Sequence, residues 1–161
     1  MRIPTWHKHP VNYSMKAEFI MTNSMNEQRR IDIAKQYFLK GDAGDQKILS
    51  MFTDNVQLYF PKFGTRSGKG EVIAFIQGLL GKLESLKHDV DTYNYIASGN
   101  VVVVEGTESG VMKDGTTWPV EGRSEGRFCN VFEFDGDLIA RVHIYVDPDF
   151  AGEDHDRFYW R

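Results

Sequence analysis

From residue 87 onwards the chain reads as one strand after another, and the connections between them are too short to cross a sheet. Strands are expected over 87–97, 100–112, 117–134 and 138–147, joined by Ser98-Gly99-Asn100, Lys113-Asp114-Gly115 and Asp135-Gly136-Asp137. Such turns close antiparallel hairpins, because a parallel return needs roughly a dozen residues or more. The second half of the chain is thereby committed to an antiparallel sheet, and whatever covers that sheet comes from the first half. Four consecutive valines, Val101 to Val104, sharpen the demand, since a strand apolar on both sides needs cover on both. Curling the sheet around helices, or pairing it with a second copy of itself, supplies that cover. Gly122 and Gly126 in the long third stretch are candidates for the bends that produce such a curl.

The first half offers helices. Ser24 or Asn26 can cap one that runs to about Lys40, with Ile31, Ala34, Tyr37 and Phe38 along one side and Arg29, Arg30, Asp32 and Lys35 on the others. Gly41 ends it, "GDAGD" makes a turn, and Ile48, Leu49 and Phe52 suggest a second, short helix before the strand "NVQLYF", which Pro61 stops. In "GEVIAFIQGLLGKLES", Val72, Ile73, Ile76, Leu79, Leu80 and Leu83 form a full apolar stripe for a third helix lying on a sheet. Helices followed by a run of strands give an α+β fold with the helices segregated to one side.

With 161 residues, 41% of them hydrophobic, the chain is long enough for one core and too short for two. The domain is expected over 25–150, after an N-terminal extension, 1–24, whose order the sequence does not fix, and before a C-terminal tail, 151–161. A formal charge of −4, with no basic run longer than Arg29-Arg30, argues against nucleic acid and against a membrane as partners. The single cysteine, Cys129, excludes an internal disulfide, and the five histidines lack metal-ligand spacing, so no metal and no cofactor are expected. His7 and His9 belong to the extension. The first 24 residues have neither the apolar stretch nor the cleavage pattern of a signal peptide, which makes a cytoplasmic location the default.

The last expected strand, within "DGDLIARVHIYVDPDF", has two unlike faces. Side chains alternate in an extended chain, so His143, Tyr145 and Asp147 share one side while Val142, Ile144 and Val146 share the other. An imidazole, a phenol and a carboxylate in a row either face water or line a cavity.

The order and spacing of "YFLKGDAGDQKILSMFTDNVQLYFP", the "GKGEVIAF" start of the third helix and "FCNVFEFDGDLIARVHIYVDP" resemble the nuclear-transport-factor-2-like superfamily of α+β cones. The likeness covers about residues 26–150 and is greatest to the SnoaL-like polyketide cyclase, limonene epoxide hydrolase and ketosteroid isomerase members. It implies a curved antiparallel sheet wrapped around about three helices, with a cavity between the helices and the concave face. Fold alone does not settle activity, because the superfamily includes isomerases, cyclases, hydratases, hydrolases and plain binding modules.

Residue by residue, the resemblance implies the following. Tyr37, eight residues before Asp45 in "AGD", stands where the isomerases keep a tyrosine that donates to a substrate oxygen. Asn130, six residues before Gly136, replaces a carboxylic acid held neutral by an apolar site, and an amide donates without a shifted pKa. Phe60 before Pro61 replaces the isomerases' catalytic aspartate, so proton abstraction by that route is not expected. His143, seven residues past Gly136, stands where the cyclases and epoxide hydrolases carry an aspartate, and an imidazole is a sensible general base there. The stretch "VEGTESGV" has Glu105 and Glu108 but no arginine, a departure that counts against epoxide hydrolysis.

His143, Tyr37 and Asn130 are accordingly the candidate catalytic residues, with Tyr145, Tyr59, Trp118, Phe60 and Asp147 as candidate substrate contacts. Asp147 ranks lower, because i and i+4 in a strand lie about 13 Å apart. Cys129 should point away from Asn130 and is not expected to act as a nucleophile. The expected function is binding of a small apolar oxygenated molecule, with acid–base catalysis of isomerase, cyclase or hydratase type. The alternative is a non-catalytic binding or dimeric interaction module. A homodimer through the sheet is the expected assembly.

Overall fold

In the computed structural model, which describes residues 13–61, 63–121 and 124–147, the helical half of the chain lies in the hollow of the stranded half. The first helix, α1, spans Tyr13–Asp42, so it starts well before the caps at Ser24 or Asn26 and ends close to the expected Lys40. A single 3₁₀ helix follows at Gln46–Met51, capped by Asp45, whose carboxylate accepts from the Lys47 N–H at 2.9 Å. The strands β1 (Phe52–Phe60) and β2 (Gly64–Ser67) form a hairpin, and α2 covers Lys69–Lys82. The remaining strands are β3 (Leu83–His88), β4 (Asn94–Ser98), β5 (Val101–Met112), β6 (Thr117–Trp118), β7 (Arg127–Asp135) and β8 (Leu138–Val146).

They make an open, curved sheet in the order β2-β1-β8-β7-β5-β3, with β4 and β6 also bonded to β5. β1 and β8 run parallel, and the other pairs are antiparallel. This is the α+β cone that the resemblance implied. Two of the expected strands divide. The stretch 87–97 becomes the end of β3 and most of β4, because β5 is long enough to pair with β3 along its far half and with β4 along its near half. The stretch 117–134 becomes β6 and β7, with Val120 bridged to Ser124 between them. The tail 151–161 and His7 and His9 lie outside the described residues.

Phe38 of α1 and Val72 of α2 meet Phe52, Val56, Val102, Val104, Phe132, Ile139 and Val142 of the sheet in one buried cluster. Each such side chain contributes about 1.5–3 kcal/mol on burial. The valine run is covered unequally. Val102 and Val104 are fully buried beneath the helices, while Val101 and Val103 are only half-buried on the convex face. The middle of α1 is fastened to two hairpin turns. Arg30 donates to the Gly99 carbonyl at 2.7 Å, the Gly99 N–H donates to Glu27 at 2.9 Å, and Arg29 pairs with Asp137.

Candidate functional site

Between the end of α1, α2 and the concave face of the sheet lies a cavity of about 490 Å³, within the size range of small-molecule sites. Phe60, Phe75, Ile76 and Leu79 make part of its wall apolar, whereas Tyr37, Asp42, His88, Glu108 and Asn130 bring polar groups to it.

The polar cluster follows from where the elements end. Asp42 is the last residue of α1, and its carboxylate reaches β3. One oxygen accepts the His88 backbone N–H at 2.7 Å and the other meets His88 Nδ1 at 2.5 Å. His88 is paired in register with Glu108 of β5, and both belong to the inner face that Val102 and Val104 also occupy. The opposite ring nitrogen, Nε2, lies 3.2 Å from Glu108 Oε2. The His88 side chain is only 9% exposed, with Glu108 at 13% and Asp42 at 19%. Burial alone pushes the imidazole down, but the hydrogen bonds and charges of Asp42 and Glu108 outweigh it and lift the pKa to about 9. At neutral pH His88 is therefore an imidazolium held between two carboxylates.

Two glycines let the chain close around this cluster. Gly126 has φ of +66°, and a Cβ there would stand 2.3 Å from the Glu108 carbonyl oxygen. The close approach places the Gly126 carbonyl 2.8 Å from the Glu108 N–H that donates to it. Gly110 faces the Trp118 ring, which a Cβ would meet at 2.2 Å.

Tyr37 stands edge-on to Phe38, Phe52 and Phe132. Burial, reinforced by the charge of Glu108, drives its phenol well above the ordinary tyrosine range, so it remains protonated and able to donate. Asn130 is 3% exposed, and its Oδ1 is buried without a hydrogen-bond donor among the described residues. Such an orphan acceptor costs about 1–3 kcal/mol unless something else meets it. Among the described residues, no group of three or more His, Cys, Asp or Glu side chains is arranged to hold a metal ion, and no helix is long and apolar enough to cross a membrane.

Of the residues singled out in the sequence, Tyr37, Asn130, Phe60 and Trp118 line this cavity. His143, Tyr145 and Tyr59 do not. The register pairs Asn130 with Ile144 and Val131 with His143, so Asn130 shares its face with Ile144, and His143 lies on the opposite, convex side. Asn130 and His143, expected together at one site, thus lie on opposite faces, and the apolar row Val142, Ile144 and Val146 is the one that faces inward. On the outside, His143 Nε2 lies 2.9 Å from Gln57 Oε1, and Tyr59 and Tyr145 stand beside its ring at 5.6 and 6.4 Å. Asp147 lies just beyond β8, where its carboxylate accepts the Glu125 N–H at 3.0 Å and its own N–H donates to the Arg127 carbonyl at 2.7 Å. Cys129 is half-buried on that outer side, its thiol pKa raised by burial and by Glu105.

Asp42 and His88 carry no signal of their own in the sequence, and Glu108 enters there only through the stretch "VEGTESGV". Glu108 was within reach, because counting by twos from Val102 and Val104 puts it on the inner face. His88 and Asp42 required the register of β3 on β5 and the end point of α1, which no local pattern fixes.

The sequence profile of the SnoaL-like domain matches residues 36–142. No curated protein matches the sequence. Among solved structures, a candidate polyketide cyclase from Xanthomonas campestris pv. campestris is 18% identical, covering 76% of this chain and 93% of its own at a TM-score of 0.66. An NTF2-like protein from Anabaena variabilis is 20% identical over 76% of this chain and 92% of its own, with a TM-score of 0.63. TerC, co-crystallised with polyporic acid, is 19% identical over 74% of this chain and 92% of its own, with a TM-score of 0.61. Identities this low speak to the fold, while the profile match runs through most of the described elements: the chain belongs to the SnoaL-like domain family, with the NTF2-like cone as its architecture.

Proposed function

We propose that the protein binds a small, largely apolar oxygenated molecule in the cone cavity and carries out proton transfer on it, with Asp42, His88 and Glu108 as the proton-handling unit. The observation that carries this reading is the His88 ring, nearly buried at the cavity wall with a carboxylate beside each of its nitrogens. In this scheme Glu108 is the base, since its carboxylate keeps lone pairs that His88 does not use. The imidazolium stabilises that carboxylate and supplies a proton when Glu108 turns aside, while Asp42 fixes the ring. Tyr37 donates to a ligand oxygen. Chemistry of isomerase, cyclase or hydratase type suits such a set. The TerC neighbour, co-crystallised with polyporic acid, gives a precedent for an organic ligand on this architecture.

A second reading, a binding module without turnover, is favoured by the fact that both ring nitrogens of His88 already have protein partners. One experiment separates the two. One- and two-ring ketones and alcohols are screened by thermal shift for binding and by NMR for conversion at pH 7, using wild type, His88→Gln and His143→Gln. Conversion that falls about 100-fold or more in His88→Gln and persists in His143→Gln is the expected result. Binding with no conversion in wild type leaves the binding module, and loss confined to His143→Gln moves the chemistry to the convex face.

For assembly, we propose a homodimer through that convex face. Ile96, Val103, Val131, His143 and Tyr59 stand side by side across β4, β5, β7, β8 and β1, and Tyr145 beside them is 46% exposed. Among the described residues no element covers this row, and a second copy supplies that cover.

A further inference from the structure

We infer that residues 148–161 fold back over the open side of the cavity and seat Phe158, Tyr159 and Trp160 on Ile73, Ile76 and Leu80 of α2, beside Phe63. Such a cover is independent of whether the cavity turns a ligand over or only holds it. Ile73 and Leu80 both line the cavity and are 37% and 48% exposed, so the hollow meets solvent between them. Ile76, half-buried and also in the lining, falls between them at the i, i+3, i+7 spacing of one helix face. The apolar surface continues off the helix. The Phe75 ring stands 5.1 Å from that of Phe60, and Phe60 stands 5.8 Å from Phe63, which is 59% exposed. Scattered exposed apolar side chains are ordinary, but these form one connected rim at an opening, and such a patch marks a place that something covers.

The chain itself supplies the cover. Val146 of β8 lines the cavity, and Asp147 is held just past it by its hydrogen bonds to Arg127 and Glu125, so 148–161 departs from the edge of the hollow. That segment, "PDFAGEDHDRFYWR", has a polar run over 152–157 and then three aromatic residues in succession. Phe158 is eleven residues beyond Asp147, a reach of about 36 Å, against about 21 Å for the whole of α2. The fit in length is close: Ile73 and Leu80 are about 10 Å apart along the helix axis, and three extended residues span about the same. The stretch 1–12 starts from the wrong end. Tyr13 lies about 44 Å along α1 from Asp42, the end of the helix that the cavity occupies, and the step from Tyr13 back to Trp6 spans about 25 Å at most. Entry to the hollow then requires residues 148–161 to lift.

The test is NMR on the full chain, labelled at Ile, Leu and Val methyls and at Trp. In wild type the Ile73 and Leu80 methyls should show cross-peaks to the Trp160 indole and upfield ring-current shifts, with a Trp160 indole order parameter above about 0.8. The triple variant Phe158→Ser/Tyr159→Ser/Trp160→Ser should lose those shifts. The rim variant Ile73→Gln/Leu80→Gln should drop the Trp160 order parameter below about 0.6. Methyl shifts that the triple variant leaves unchanged overturn the inference, as does a Trp160 indole as disordered in wild type as in the rim variant. Cross-peaks from Trp160 to the Val103 or Val131 methyls, or from Trp6 to the rim, overturn it too, because the cover then lies elsewhere or comes from the other end of the chain. In a mixture of labelled triple variant and unlabelled wild type, shifts that stay absent keep the cover within one chain, whereas shifts that return assign it to a second copy and refute the inference. If the triple variant fails to fold, the wild-type cross-peaks and the rim variant decide.

Discussion

Two histidines, one on each face of the same sheet, respond to their surroundings in opposite directions. His88 is lifted to about 9 because Asp42 and Glu108 overcome its burial. A group with a raised folded pKa contributes stability that is complete below its ordinary value, near 6.5, and is lost as pH rises through the folded value. Urea unfolding should therefore show a stability loss on the order of 2 kcal/mol between pH 6.5 and 9, and His88→Gln should remove that slope. His143 is lowered, first by burial and then by the charge of Arg141, against an opposing pull from Glu133. Its share is present above the ordinary histidine value and fades as pH falls, so His143→Gln should flatten only the acid side. At this scale the sequence was half legible. Tyr37, Asn130, Phe60 and Trp118 line the cavity, the first two at positions that the family resemblance implied. His143 went astray because both faces of β8 look plausible from inside the strand, and only its pairing with Val131 decides between them.

Elements were easier to read than their partners. The three helices and the hairpin turns at Gly99, Gly115 and Gly136 announce themselves through apolar stripes and positive-φ glycines. Where β3 ends and β4 begins is decided instead by β5, a twelve-residue strand that takes a different neighbour along each half. Gly126, a candidate bend in the sequence, is the point where the chain leading into β7 presses on the backbone of Glu108. Gly126→Ala combines a left-handed φ with a Cβ at 2.3 Å from a carbonyl oxygen. The expected cost is about 2–3 kcal/mol of stability, read as a lowered melting temperature. Any ligand binding should weaken along with it, because Glu108 is displaced.

For the whole molecule, the described residues leave one side of the sheet without cover, and the proposed dimer answers the demand that the valine run makes in the sequence. Val103→Glu and Val131→Glu each put a charge in the middle of that convex row. Sedimentation should find the wild type as a dimer and both variants as monomers, with ring-compound binding in the cavity retained. A monomeric wild type would refute the assembly and leave the cavity untouched.

The attachment of α1 to the hairpin turns has a mechanical meaning. From Arg30 to Asp42 the helix is a rod of about 18 Å, tied to the Gly99 and Asp137 loops where it begins, packed on the sheet through Ala34 and Phe38, and carrying a carboxylate at its tip. A small tilt at the anchorage sweeps that tip through a larger arc. The aim of Asp42 on the imidazole is thus set in part from the middle of α1, by contacts that never approach the hollow where a guest would sit.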